Sequence, residues 1–284
     1  MNTLTLVLAL LLLLSLTYVL PADPLRVLAY VFMGLALSSI STLTYYRRLE
    51  FLAAEAVHVS LLAVTLGTLL EYYTGLTYMA YAVITGLLPV YATAIMIRRG
   101  FSQEKASAVI VSLTSALSVI TIHYALTSAP VRYSLSGLIL GDPLLLTRVD
   151  AVTALAISLG LFIVVTLTFQ EVVETSIDAE SASLLGIRVR LYDFVAYTAI
   201  GVASVGLLKL AGYVMEHVLL LLPAITASSY STGVKAHYMN TVLLGTSLTA
   251  LGYALSYVLN TAPTGLTGIL LFVVLVIGHV KRGV

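Results

Sequence analysis

The clearest apolar block in this chain is residues 151–169, AVTALAISLGLFIVVTLTF, which contains no charged side chain. A helix rises about 1.5 Å per residue, so a block of this length can cross the roughly 30 Å hydrocarbon core of a bilayer. Only helices and closed barrels satisfy the backbone in lipid, and barrel strands would appear as shorter alternating stretches. The block therefore predicts a membrane-spanning helix and excludes an outer-membrane barrel.

Similar blocks recur through all 284 residues, of which 60% are hydrophobic and only 10% charged, with a mean hydropathy of +1.06. A soluble domain carries about 25% charged residues. We therefore expect an all-α fold, a polytopic integral membrane bundle of about nine to ten transmembrane helices forming a single domain, residues 1–284. The predicted spans are residues 3–20, 25–46, 52–70, 78–97, 106–126, 151–169, 194–208, 213–228, 241–259 and 266–280.

The first block, residues 3–20, is an additional N-terminal helix in this interpretation. No Lys or Arg precedes it, whereas a secretory signal begins with positive charges. We expect a retained helix, with a cleaved signal peptide as the alternative.

Basic residues fall unevenly on the two predicted sides of the membrane, and Lys and Arg in short loops stay in the cytoplasm. The richer side has Arg47, Arg48, Arg98, Arg99, Lys105, Arg188, Arg190, Lys235, Lys281 and Arg282. The other side has only Arg26, Arg132, Arg148 and Lys209. This predicts a multi-pass protein of the plasma membrane with both ends inside and residues 127–150 outside. Within that outer stretch, residues 134–140 are too short to cross and predict a re-entrant or interfacial segment.

Composition also excludes several kinds of function. The chain has no cysteine and a formal charge of +1 without basic or acidic runs, which excludes thiol chemistry and gives no reason to expect nucleic acid as a partner. No phosphate-binding loop occurs, and none of the four lysines follows a glycine, so any ATP hydrolysis would belong to another subunit. We expect a membrane protein that is not itself an enzyme.

Ionisable residues inside the predicted spans are few, and each costs several kcal/mol unless it faces water or a partner. Glu55 and His58 are three residues apart, which places both on one helical face. They could share a divalent cation or bond to each other, and Glu55 could instead pair with Arg47 and Arg48 at the inner rim. A lone His123 near the outer end of its span is more typical of a structural histidine.

Glu216 and His217 interrupt a second apolar span. Adjacent residues on a helix point about 100° apart, so both line one cavity only if it is wide or the helix is broken. Gly212 and Pro223 bracket this stretch, and proline favours a kink. The pattern predicts a gate or hinge, with an interhelical polar clamp as the alternative.

Imidazole and carboxylate without thiolate suit Zn²⁺, Mn²⁺ or Fe²⁺, and Zn²⁺ binds tightest of these in the Irving–Williams order. Glu55, His58, Glu216 and His217 are therefore candidate transient ligands of a transported metal. A transport site must release its ion, so we expect fewer ligands than in a structural zinc site and no permanently bound cofactor.

The longest polar stretch on the predicted cytoplasmic side is residues 170–193. Helix formers follow Asp178, and Gly186 lies where a helix C-terminus often places one. We expect a short cytoplasmic helix here, with an ordinary solvated loop as the alternative.

Five motifs in order resemble those of the zinc/manganese ABC importer permease family, over roughly residues 25–278. They are Arg47-Arg48-Leu49 before His58; Leu140-Gly141-Asp142 with Leu146-Thr147 and Asp150; Asp178, Ala182 and Gly186; Gly212 with Leu222-Pro223-Ala224 and Thr226-Ala227; and Ser256-Tyr257, Asn260 and Pro263-x-Gly265.

The resemblance implies a homodimeric permease that works with a cytoplasmic ABC ATPase dimer and an extracytoplasmic metal-binding protein. Asp178, Ala182 and Gly186 would then belong to a coupling helix, with Asp178 as its cap and the two small residues allowing close approach to the ATPase. The implied function is ATP-driven import of zinc or manganese, with iron a further candidate.

Two departures from the family pattern stand out. The family's intramembrane aspartate falls on Ala54, one position before Glu55, and the positions of Glu216 and His217 are usually apolar or small in the family. The metal path is therefore expected to differ, and two other functions remain open. One is an ion-coupled secondary carrier without an ATPase, and the other is a non-transporting scaffold whose buried charges clamp helices.

Overall fold

The protein is described by a computed structural model covering residues 3–21, 23–128, 141 and 146–282. Within these ranges it has eleven helices and no strand. They are α1 (Thr3–Val19), α2 (Pro24–Arg47), α3 (Glu50–Thr74), α4 (Tyr78–Arg98), α5 (Gln103–Ser128), α6 (Arg148–Ile177), α7 (Ala179–Leu184), α8 (Val189–Gly206), α9 (Leu208–Ser228), α10 (Val234–Leu259) and α11 (Pro263–Arg282). The segment 134–140, predicted to re-enter the membrane, lies outside the described residues, as do Arg132 and Asp142.

Each of the ten predicted spans is a helix, and the all-α prediction is confirmed. In the described part of the chain, eight helices are long and apolar enough to cross a membrane. The other two predicted spans are α1, which is apolar but shorter, and α8, which has 18 residues and carries Arg190 and Asp193 near its inner end.

One boundary differs from the prediction. The expected gap between spans lay at residues 209–212, whereas α8 ends at Gly206 and α9 already begins at Leu208. Gly212 is instead a break within α9, with φ 68° and ψ 160°. Local hydropathy marked the interruption correctly but could not separate a loop from a kinked helix.

Helix α2 lies at the centre of the bundle and is buried along most of its length. Its contact with α10 is made through small residues: a Cβ on Gly245 would lie 1.7 Å from the Ser38 hydroxyl oxygen, and one on Gly34 would lie 2.6 Å from that of Thr249. Small residues let membrane helices approach closely without a water-driven hydrophobic force. Helices α2 and α10 therefore form a close-packed core, and the more exposed helices pack around it.

Ion pairs join the helices at both ends of the bundle. At the end with the richer basic charge, the Arg47 guanidinium contacts Asp193 of α8 and donates to the Thr175 hydroxyl of α6. At the opposite end, Lys209 of α9 lies 2.8 Å from Asp150 of α6. The charged groups of these ion pairs thus lie at helix ends, separate from the ionisable side chains inside the membrane spans.

Candidate functional site

Three side chains from two helices meet in the middle of the bundle: His58 of α3, and Tyr213 and His217 of α9. The Tyr213 hydroxyl lies 3.0 Å from Nε2 and 3.1 Å from Nδ1 of His58, so it can bond one ring nitrogen. The His58 and His217 ring centroids are 6.1 Å apart, with the rings nearly perpendicular. All three side chains are half-buried.

The depth of this cluster follows from helix positions. His58 lies eight residues beyond the start of α3 at Glu50, and His217 lies nine residues beyond the start of α9 at Leu208. The two starts are at opposite ends of the bundle. At about 1.5 Å per residue both histidines are about 12–14 Å from an end, which places them near the bilayer midplane.

Glu55 is not brought to His58. Its side chain is buried and accepts a hydrogen bond from the Thr93 hydroxyl of α4 at 2.5 Å. The inner-rim ion pair proposed for Glu55 is not observed either, because Arg47 contacts Asp193 instead. A separation of three residues leaves side chains about 60° apart, and that angle is enough for Glu55 and His58 to face different neighbours.

Glu216 also points away from the histidines. It is fully buried and faces Ser204 of α8, and neither of its carboxyl oxygens has a hydrogen-bond partner among the described residues. His217 turns instead toward α3. The two adjacent side chains thus contact different helices, which agrees with their separation of about 100° around the helix.

No group of three or more His, Cys, Asp or Glu side chains that could hold a metal ion occurs in residues 3–21, 23–128, 141 and 146–282. What the helices do bring together is a pair of imidazoles with a phenol. Such a set is open and suits an ion that passes through better than a permanent structural ion.

The break at Gly212 lies directly beside this cluster. Its φ of 68° and ψ of 160° fall in a region that only glycine adopts readily. Gly141 packs against the same point, since a Cβ on it would lie 2.3 Å from the Ala211 carbonyl and from the Gly212 nitrogen. The backbone of Gly141 therefore lies directly against the kink, which is one residue before Tyr213.

Pro223 lies within the helical part of α9, and side chains of α2 and α10 bond to the backbone on both sides of it. The Ala224 amide donates to the Ser41 hydroxyl of α2 at 3.2 Å, and that hydroxyl donates to the Leu221 carbonyl at 3.4 Å. His237 Nε2 donates to the Ala224 carbonyl at 2.8 Å. Of the two bracketing residues, Gly212 is thus a sharp break, whereas the helix continues through Pro223.

The predicted short cytoplasmic helix is present as α7. Asp178 caps it, accepting from the amides of Glu180 at 3.1 Å and Ser181 at 3.0 Å, and Gly186 ends the segment with φ 84°. The hydrogen bond from the Ser181 hydroxyl is the main cause that lowers the pKa of Asp178 below its ordinary value. The cap is therefore intact at neutral pH, and its stabilisation is lost only as the pH falls through that lowered pKa.

The exposed face of α7 differs from expectation. Ala182, which was expected to allow close approach to a partner, is buried within this chain at 2% exposure. Leu184 and Leu185 are instead 89% and 79% exposed. The surface that this segment presents is thus a pair of leucines at the tip of a capped turn.

The sequence pattern did not single out Tyr213. It lies four residues before His217, a spacing that places two side chains on one helical face. That spacing was the available signal, but the nearby break at Gly212 obscured it.

Comparison with known proteins decides the family. A model of the ABC 3 transport family matches residues 25–282, most of the chain. The chain belongs to this family. The membership confirms the family predicted from the five ordered motifs, and the eight apolar helices agree with a multi-pass protein of the plasma membrane. The chain is the membrane-spanning permease subunit of an ABC transporter.

Two relatives in sequence and one solved structure extend the comparison. The "Probable metal transport system membrane protein" of Thermotoga maritima is 24% identical over 82% of this chain and 80% of its own length. The "Manganese import system permease protein ScaB" of Streptococcus gordonii is 26% identical over 75% of this chain and 76% of its own. The structure of PsaBC from Streptococcus pneumoniae in complex with Fab has a TM-score of 0.77 at 19% identity, over 91% of this chain and 92% of that chain, and so shares the fold.

Proposed function

We propose that this permease carries a divalent transition metal ion, zinc, manganese or ferrous iron, into the cell in a transporter driven by ATP. The observation that carries the proposal is the His58–His217 pair, contributed by two helices near the bilayer midplane. Imidazoles at that depth are costly unless they serve a pathway or a partner. The names of the relatives, metal transport and manganese import, support the same class of cargo.

In this proposal the metal is cargo and no cofactor stays bound. His58 and His217 are transient ligands, and release is easy because two protein ligands hold the ion less tightly than a closed site would. Glu55 and Glu216 are buried carboxyl groups that face Thr93 and Ser204 and are not part of the histidine pair.

The proposed assembly contains a second copy of this chain, a cytoplasmic ABC ATPase dimer and an extracytoplasmic metal-binding protein. The whole chain, residues 1–284, acts as one permease domain, and residues 170–193 couple it to the ATPase. Leu184 and Leu185 would insert into the ATPase, because exposed leucines on a rigid capped turn make an apolar anchor.

Conformational change is proposed to pass through α9. The helix is held at its outer end by the Lys209–Asp150 ion pair and at Pro223 by Ser41 and His237. Between these fixed points, the Gly212 break lets the segment bearing Tyr213 and His217 turn relative to α3. Such a turn would bring the two imidazoles together or part them, and so gate the site.

Uptake into proteoliposomes tests the function. Vesicles containing this chain, its ATPase and its binding protein are expected to accumulate Zn²⁺ or Mn²⁺ only when ATP is supplied on the ATPase side. Dissipating the ion gradients with an ionophore should leave the uptake unchanged. Uptake that follows an ion gradient and ignores ATP would favour the secondary carrier, and no uptake of any metal would favour the scaffold.

A further inference from the structure

In the cluster of His58, Tyr213 and His217, the two closest potential metal ligands are both imidazoles. The His58 and His217 rings are 6.1 Å apart and come from different helices. The third member, Tyr213, is a phenol that hydrogen-bonds His58. No carboxylate joins them to make a three-residue metal group among the described residues.

The nearby carboxylates are directed elsewhere. Glu55 bonds to Thr93, and Glu216 faces Ser204. The helical position that shares the face of His58 one turn earlier is Ala54, which offers no ligand atom. At the histidine pair, two imidazole nitrogens are thus available and the nearby carboxylate oxygens are not.

The histidine pair fits a cation bound by nitrogen. Nδ1 of His217 is buried without a hydrogen-bond partner among the described residues, so the ring has an unused nitrogen. A zinc–imidazole bond is about 2.0–2.1 Å long, and two rings this close can share one ion after a small rotation. Rotation of α9 about Gly212 would supply that movement.

Imidazole suits zinc and its neighbours in the transition series, whereas carboxylate, carbonyl and water oxygens suit manganese. We propose that His58 and His217 form a transient cation site that selects an ion of the zinc class over Mn²⁺, with His217 as the specificity-determining residue. This inference rests on the proposed function, since it names the class of cation carried along the same path. Tyr213 acts as a positioning residue that holds the His58 ring.

The test is direct binding to the purified transporter in lipid nanodiscs, measured by equilibrium dialysis with Zn²⁺ alone and Mn²⁺ alone. Because Zn²⁺ binds more tightly at almost any site, the informative quantity is the change in the Zn²⁺/Mn²⁺ affinity ratio. His217→Asp exchanges a nitrogen for oxygen ligands and should lower that ratio by about tenfold or more. Ala54→Asp, which adds an oxygen ligand on the face of His58, should lower it in the same direction.

Co²⁺ spectroscopy and a control variant at another histidine complete the experiment. Co²⁺ bound to the wild type should show the visible absorption of nitrogen ligation, and His217→Leu should abolish it while the protein still elutes as an intact complex. His123→Ala, an exposed histidine on α5, should change neither the ratio nor the spectrum.

The outcomes for this inference and for the proposed function are separable. An affinity ratio that is the same in wild type and His217→Asp would overturn the inference, even if ATP-driven uptake persists. Selective binding that depends on His217, in a protein that shows no ATP-driven uptake, would uphold the site and overturn the proposed function.

Discussion

Replacing His58 with alanine is expected to lower ATP-driven uptake of radiolabelled Zn²⁺ or Mn²⁺ by about tenfold or more, since tenfold corresponds to only about 1.4 kcal/mol of binding free energy. His58 faces both Tyr213 and His217. Without His58, the His217 imidazole alone would have to replace the water molecules that a cation loses near the bilayer midplane. The measurement is initial uptake rate in proteoliposomes at subsaturating metal.

His123→Ala is the matched control for this variant, because it removes an imidazole that is exposed near the outer end of α5. Its uptake should stay within error of the wild type. Equal uptake by His58→Ala and wild type would remove the histidine pair from the pathway and leave its residues with a packing role.

Replacing Gly212 with valine is expected to abolish uptake because it strains the backbone of α9. A side chain at φ 68° and ψ 160° costs of order 1–3 kcal/mol, and more for a β-branched residue. Relaxing that strain would straighten α9 and move Tyr213 and His217 away from α3. The measurement is uptake rate alongside the elution profile and thermal stability of the purified complex.

Gly160→Val is the control for the effect of valine itself. Gly160 lies on α6 with open space around its Cα, so valine there should leave uptake close to wild type. If Gly212→Val were as active and as stable as this control, α9 would not need its break and the proposed hinge would be wrong.

The sequence predicted the fold well because a membrane-spanning helix can be identified from its local apolar composition. Residues 151–169 and their counterparts needed no knowledge of tertiary contacts to be identified as helices. The cap at Asp178 and the turn at Gly186 were also local features, determined by side chains a few residues apart. These parts of the structure follow from chemistry within one stretch of chain.

The site was harder to predict because partners come from other helices. The spacing of Glu55 and His58 suggested a shared ligand, but the buried hydroxyl of Thr93 on α4 attracts the carboxyl group. Glu216 and His217 were expected to act together, yet they face α8 and α3 respectively. Periodicity gives the direction of a side chain around its own helix and cannot show which neighbour stands there.

We expect this permease to couple metal transport to ATP hydrolysis through the segment capped by Asp178. This coupling is tested most directly by metal-stimulated ATP hydrolysis of the complex reconstituted in lipid with its ATPase and binding protein, comparing wild type with Asp178→Arg. We expect stimulation by Zn²⁺ or Mn²⁺ in the wild type and its loss in the variant, because arginine removes the carboxylate that accepts from the amides of Glu180 and Ser181. An ATPase that does not associate with the chain, or stimulation that survives the substitution unchanged, would contradict it.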